Sequence, residues 1–280
     1  MGGTKKVWHA GLTSILSHFP FPAWAFLSAS PSPLAATFKN KRDFASVPNA
    51  VTSVLEIGPF NNPCVRGENV SYFDVMTTEQ LRARAMQVGY DPSTVPHIRY
   101  VSPVGDLGIV ADQFDAVVSC HCIEHQPDLI AHFRQVHRIL RPGGKYFLDI
   151  PDKRYCCDHF LTESSLHSII EAKGDTRHPL TKVIEHRAFT THSEAWRHWA
   201  GDHASPSYFD AIIPFAAKAL KEYQDAQGGY IDVHRWQFTP ASFRDIVVGL
   251  RQKGELAFNV VEVNDTAPGD LEFTAVLEAA

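Results

Sequence analysis

The chemistry-bearing residue types in this chain of 280 residues are dominated by its 15 histidines. Seven precede Pro151, and the other eight fall between Pro151 and His234. His121 and His125 stand four apart, a spacing at which two imidazoles on one helical face can share an ion. The H-E-x-x-H pattern is missing and no third ligand is apparent, so no metal site is expected. In the run Tyr230-Ile231-Asp232-Val233-His234-Arg235-Trp236, Asp232 and His234 alternate with apolar residues and can face one side of an extended segment. A carboxylate that orients an imidazole makes a general base; a hydrogen-bonded structural histidine is the competing reading of His234. Arg154, in D-I-P-D-K-R-Y at 149–155, is a residue type that grips carboxylates through two parallel hydrogen bonds.

A second constellation lies upstream. V-L-E-I-G-P-F-N-N-P at 54–63 puts an acid and then a glycine at the end of an apolar run. Glycine there allows a sharp bend and a close approach by a ligand. Asp74 follows Gly58 by 16 residues, the spacing at which nucleotide-binding α/β folds set a carboxylate on ribose hydroxyls. The full G-x-G-x-x-G fingerprint is absent, because Phe60, Asn61 and Asn62 follow Gly58 and Pro59.

The elements that must position these groups alternate. Strands are expected over 51–57, 70–73, 98–101, 114–119 and 145–150, and helices over 77–88 and 128–140. That alternation means a doubly wound, mostly parallel sheet. After Pro151 it fails for roughly 85 residues. It resumes with a helix from Thr239-Pro240 to about Lys253 and two strands, 256–263 and 272–277, joined by a Pro268-Gly269 turn as an antiparallel hairpin.

Composition narrows the partners. Lys and Arg number 26 against 31 Asp and Glu, a formal charge of −5, which argues against nucleic acid and gives no polybasic case for a membrane surface. The five cysteines show neither a disulfide framework nor zinc spacing, and they read as reduced in a cytoplasmic setting. Residues 7–27 are apolar but broken by His9, His18, Pro20 and Pro22. They make a poor signal peptide or membrane span. Residues 1–50 read as a helical arm whose Trp8, Leu12, Ile15, Leu16, Phe19, Phe21, Trp24 and Phe26 could join two subunits as a homodimer.

Three segments taken together carry a resemblance: E-I-G-P before Asp74, F-D-A-V-V-S-C-H-C-I-E-H-Q-P-D-L at 114–129, and R-I-L-R-P-G-G-K-Y-F-L-D-I-P at 138–151. In order and spacing the chain resembles the class I S-adenosylmethionine-dependent methyltransferases over 51–150 and 239–277. The resemblance implies a seven-stranded Rossmann-like sheet, with S-adenosylmethionine as cofactor. It implies that Glu56 and Gly58 lie beside the methionine end and ribose, that Asp74 holds the ribose hydroxyls, and that Val75 or Met76 flanks the adenine. Asp106 becomes a candidate for the adenine amino group, and Cys120 and His121 line the methyl-transfer centre. The motif-one loop departs from the family by lacking its second and third glycines, so Pro59 and Asn61 or Asn62 must close over the cofactor.

The expected protein is therefore a methyltransferase domain over 51–280, with residues 151–238 as an acceptor-binding lid. His125, Arg154, Tyr155, His159, Trp196, Trp199 and Trp236 are its candidate acceptor contacts. His234 or His121 would remove an acceptor proton, with Asp232 in support. The expected acceptor is a small molecule methylated on a hydroxyl or carboxylate oxygen. Nitrogen methylation and a catalytically silent cofactor-binding partner subunit are the alternatives.

Overall fold

The computed structural model describes residues 38–280. Apolar runs with no polar alternation are buried on both faces, as interior parallel strands must be. β1 (Val54–Ile57) is buried at all four positions, and β4 (Phe114–Cys120) at five of seven. With β2 (Val70–Asp74), β3 (Tyr100–Val101), β5 (Leu140–Pro151), β6 (Phe258–Val263) and β7 (Glu272–Ala279) they form one seven-stranded sheet. Its order is β3-β2-β1-β4-β5-β7-β6. The first five strands pair in parallel, and β7 runs antiparallel to both β5 and β6. This is the expected Rossmann-like sheet with its antiparallel end.

Local chemistry explains the helix boundaries. α1 (Val47–Ala50) is a single turn with Pro48 near its start. α2 (Thr78–Val88) opens on a capping box between Thr77 and Gln80 and closes at Gly89, whose φ of 87° favours glycine. α3 (Leu129–Ile139) is capped by Asp128, whose carboxylate accepts from Ala131 N. Its buried side (Leu129, Ile130, Phe133, Val136 and Ile139) packs into the main core. β5 begins at Leu140, earlier than expected, because Arg141-Pro142-Gly143-Gly144 is taken up by an irregularity in its pairing with β4.

Residues 151–238 are more ordered than their pattern suggests. They hold α4 (Leu166–Glu171), α5 (Leu180–Phe189), α6 (Ala195–Trp199) and α7 (Tyr208–Asp225). The segment leaves and rejoins the sheet at one point, where Asp152 and Phe238 form an isolated parallel bridge and Lys153 N donates to Phe238 O (2.9 Å). α5 and α7 share a small core of their own around Val183, Ala219, Ile231 and Val233. α8 (Pro240–Gln252) then starts on Thr239, as its sequence predicts.

The arm over 1–50 lies mostly outside the described residues, and its described end packs on the domain. Phe38, Phe44 and Val47 are buried against Val54, Val118 and Phe147, so the packed body begins before Val51. Cys64 and Cys120 bring their sulfurs side by side, with Cα atoms 7.3 Å apart, a span wider than a disulfide ordinarily bridges. Their separation of 56 residues gives no sequence signal, because their approach depends on how β1 and β4 lie together. No helix among the described residues is long and apolar enough to cross a membrane.

Phe44 is fully buried and its ring meets Phe147 edge-on at 5.8 Å. Phe44→Ala should lower stability by about 3–5 kcal/mol in urea denaturation. A loss under about 1 kcal/mol would show that this segment is peripheral to the domain.

Candidate active site

The carboxyl ends of β1, β2, β4 and β5 open on one crevice, the place where open α/β sheets bind ligands. At the end of β1, Gly58 adopts φ +72° and donates from its N–H to Phe73 O on β2 (2.9 Å). A Cβ at Gly58 would meet nothing within 4 Å, so open space lies beside the backbone there. Glu56 is buried beneath this turn, accepting from Cys64 N (2.7 Å) and Val65 N (3.1 Å). Its oxygens thus shape the loop that carries Pro59 and Asn61. Burial pushes its carboxyl up to about 8 despite those two donors. Asp74 ends β2 nearly buried and accepts from Met76 N (3.0 Å). Burial raises it to about 6. Val75 is exposed at the rim, and a Cβ on Gly105 would lie 3.9 Å from its Cγ1, so the loops after β2 and β3 face each other. Asp106 caps the short turn Leu107–Ile109, its Oδ1 accepting from Gly108 N and Gln135 Nε2, both at 2.8 Å.

β4 ends in two groups of titratable side chains. His121, at φ 50°, is one of three non-glycine residues with positive φ among the described residues. Its N–H donates to Asp149 O (2.9 Å), and its Nε2 lies 3.0 Å from Glu272 on β7. Lys41 Nζ completes this group, 2.7 Å from Glu272 and 3.6 Å from Asp149. Burial opposes charge on His121, but the hydrogen bond and charge of Glu272 prevail and raise it. Burial and the nearby Glu272 push Asp149 up to about 7. Burial also opposes the charge of Glu272, yet His121 and Lys41 hold it down at about 2.

The second group surrounds Glu124, which is 1% exposed. Both of its carboxylate oxygens are buried and without a hydrogen-bond partner. His125 Nε2 stands 3.7 Å from Glu124, and His125 Nδ1 stands 2.9 Å from Asp232. His234 crosses His125 edge-on with ring centroids 4.6 Å apart, and its Nδ1 is 2.7 Å from Asp158. Burial works against charge on His234, but Asp158 raises it to about 10. Asp158 is held below the usual carboxylate range, against burial, by His234 and His186. Burial, aided by the charge of His234, drives His186 well below the ordinary imidazole value.

The profile of the family described as "Methyltransferase domain" matches residues 35–222. The chain belongs to the methyltransferase-domain family. No curated relative matches its sequence. Among solved structures it is similar to the CcbJ methyltransferase from Streptomyces caelestis (13% identity, TM-score 0.42, 86% of this chain and 95% of that one). It is also similar to an S-adenosylmethionine-dependent methyltransferase from Clostridium acetobutylicum (10%, 0.39, 84% and 87%). A third is the magnesium protoporphyrin IX methyltransferase ChlM from Synechocystis, solved with bound SAH (11%, 0.37, 82% and 75%).

The cofactor of this methyltransferase is S-adenosylmethionine, and the crevice suits it. A nearly buried carboxylate at the end of β2 matches a pair of hydroxyls, and the space beside Gly58 admits a ligand against the backbone. His125, Asp232 and His234 come together beyond β4, His121 stands instead with Asp149 and Glu272, and Glu56, Gly58, Pro59, Asn61, Asp74, Val75 and Cys120 lie at or under the mouth of the crevice.

Other expected residues stand elsewhere. Asp232 does not orient His234, since it pairs with His125 while Asp158 takes His234. Arg154 is not free for an anionic acceptor: its guanidinium meets both oxygens of buried Asp152, the shortest contact being 2.6 Å. Trp236 is a core residue at 2% exposure, its indole N–H donating to Gln126 O (2.7 Å), so it offers no surface to an acceptor. Tyr155 stacks on Trp199 at 3.9 Å, and Trp199 donates to Asp270 O, which fixes this pair beside the turn before β7. His159 stacks on His203 (3.7 Å), with His198 close by, and Trp196 is exposed. Sequence reasoning passed over Lys41, Glu124, Asp149, Asp158, His186 and Glu272. Of these, Glu124 and Asp149 lay within motifs already singled out.

Cofactor affinity should fall as pH drops through about 6, because protonated Asp74 loses its capacity to accept from two hydroxyls. Calorimetry with S-adenosylhomocysteine between pH 5 and 8 checks this. Asp74→Asn should weaken binding about 10- to 100-fold at pH 8 and flatten the dependence near pH 6; an unchanged profile would remove Asp74 from the cofactor site.

Proposed function

We propose that this methyltransferase methylates a hydroxyl oxygen of a small molecule, that His125 and His234 hold that hydroxyl, and that Glu124 takes its proton. The observation that supports this reading is the buried Glu124 carboxylate, unpartnered at both oxygens and flanked by two imidazoles at the carboxyl end of β4. A hydroxyl donates to such a carboxylate and passes its proton to the same group of acceptors. When bound, S-adenosylmethionine supplies an electrophilic methyl carried on a sulfonium.

The residues favour hydroxyl over carboxylate as the acceptor. A carboxylate at the inner end would face Glu124, Asp158 and Asp232, and Arg154 is committed to Asp152; the cations Arg84 and Lys218 line only the outer cleft. The same ring of carboxylates favours an amine as the second reading, since a cationic nitrogen would be drawn to it. A cleft of about 690 Å³ reaches this group from outside through Asp232, with Arg84, Lys218 and Tyr230 among its walls. Positioning of the acceptor there is what these walls contribute to rate. We further place the protein in the cytoplasm, without nucleic-acid or membrane partners, its acidic balance offering nothing to phosphates. The proposed homodimer contact, through the N-terminal arm, lies outside the described residues.

Full-length protein should be incubated with S-adenosylmethionine and panels of phenols, sugars, carboxylic acids and amines, with methylated products identified by mass spectrometry. Methyl found on hydroxyl oxygen is the expected result. Product confined to nitrogen or carbon would sink the hydroxyl reading, and no product or cofactor binding would favour a silent subunit. With an acceptor found, His234→Ala should depress kcat about 100-fold or more while leaving cofactor affinity within about threefold.

A further inference from the structure

Glu124, His125 and His234 each offer one ligand atom, and these atoms lie within 4.8 Å of one another. Ligand atoms bound about 2.0–2.2 Å from a single ion sit roughly 3 Å apart, so side-chain rotation closes the set. The outer nitrogens are already held. His234 Nδ1 is hydrogen-bonded to Asp158 at 2.7 Å and His125 Nδ1 lies 2.9 Å from Asp232 as a close ion-pair contact, so Nε2 of each ring is the nitrogen turned away from those carboxylates. A carboxylate behind each imidazole is the arrangement that orients metal-bound histidines and raises their basicity. Between the rings stands Glu124, 1% exposed, with both oxygens unpartnered. Burying a carboxylate in that state costs several kcal/mol, and a cation is what removes the cost. Its nearest cationic neighbours are imidazoles, His125 Nε2 at 3.7 Å and His121 Nδ1 at 3.8 Å, neither hydrogen-bonded to it, while Arg187 is paired with Glu222 and Arg235 with Asp175.

We propose that Glu124, His125 and His234 bind one divalent transition-metal ion through the carboxylate and the two Nε2 atoms, with the remaining coordination positions open. Two imidazoles and a carboxylate suit ions such as Zn²⁺, Co²⁺ or Mn²⁺ better than Ca²⁺ or Mg²⁺, which prefer all-oxygen shells. The third ligand that the sequence lacked is His234, brought beside His125 because Arg235 N and Trp236 N both donate to Glu124 O (2.7 and 3.2 Å). An ion here would draw an acceptor oxygen into an open position and favour its deprotonated form. The site goes beyond the acceptor reading, since ion binding is measured with no acceptor present.

The test titrates chelator-stripped, full-length protein with Co²⁺, following ligand-field absorption, and with Zn²⁺ by calorimetry. One equivalent of each ion should bind, and X-ray absorption at the cobalt edge should show nitrogen and oxygen ligands that include two imidazoles. Asp158→Asn should weaken Co²⁺ by about 10- to 100-fold, and Glu124→Gln and His125→Gln by more, with S-adenosylhomocysteine affinity kept within about threefold as the sign of an intact fold. Three results overturn the proposal: no saturable equivalent in the wild-type protein, a cobalt shell containing sulfur or lacking imidazole, or wild-type ion affinity in a folded His125→Gln variant. The two wild-type measurements decide the matter even where a variant fails to fold.

Discussion

A parallel strand covered on both faces can carry charge only where it ends, and β4 imposes that constraint on the whole molecule. Ala116, Val117 and Val118 are fully buried and Ser119 nearly so, between β1 on one side and β5 on the other. The first place where polar side chains can turn outward is past Cys120, and the chain uses it at once. His121 takes a left-handed conformation that a non-glycine residue adopts only when its surroundings hold it there. The hold is the bond from His121 N to Asp149 O, together with Glu272 on the imidazole. That single bend sends residues 121–125 across the mouth of the crevice, with Asp74 at the end of the strand beyond β1.

The titratable groups beyond β4 fall into two sets that differ in one respect. His121, Asp149 and Glu272 have a fixed counterion in Lys41. Glu124, His125, His234, Asp158 and Asp232 have no lysine or arginine in that role; their only cations are imidazoles, and His125 and His234 each lean on a different carboxylate. The first set therefore behaves as a strut between β5, β7 and the segment before β1. The second remains electrostatically incomplete, in a protein interior where an unmatched carboxylate is expensive. The backbone keeps it in place: Glu124 O receives two N–H groups from the chain returning to the sheet, and Trp236 fastens that return to Gln126. Trp236 thus serves the site from within the core, by fixing where His234 stands.

Sequence was a good guide wherever structure is set by near neighbours. Thr77, Asp128 and Thr239 are short polar side chains before apolar periodic runs, and each caps the helix that follows. The uninterrupted apolar run at 114–119 could only be an interior strand, and the turn at Pro268-Gly269 could only fold the last two strands back on each other. The site was half legible for the same reason. Asp74, His121 and His125 lie at strand ends or just past them, whereas their partners are distant in the chain. His121 meets Glu272 across 151 residues and His234 meets Asp158 across 76. Nothing in the neighbourhood of Asp232 tells that it answers to His125, because alternation fixes which side a residue faces and not what crosses from another element. The helices of 151–238 were hidden by composition. α5 and α6 are short, rich in histidine and aromatics, and without side-chain caps, and α7 carries a proline inside it.

That segment has a core separate from the sheet's, and the separation bears on how acceptor choice is built. Val183, Ala219, Ile231 and Val233 pack together between α5 and α7, while Trp236 and Phe238, a few residues on, belong to the main core. The boundary between the two cores runs through His234. Changes in α5 or α7 alter the walls of the cleft around Lys218 and Tyr230, and they meet the sheet only through a segment whose far end is pinned by the Asp152–Phe238 bridge. α5 nevertheless reaches the cluster itself, since His234 N donates to His186 Nδ1 (3.2 Å) and Arg187 donates to Asp232 O (3.0 Å). Repacking of the small peripheral core would therefore be felt at His234 and Asp232 through α5, while Glu124 and His125 stay fixed by the rigid end of β4.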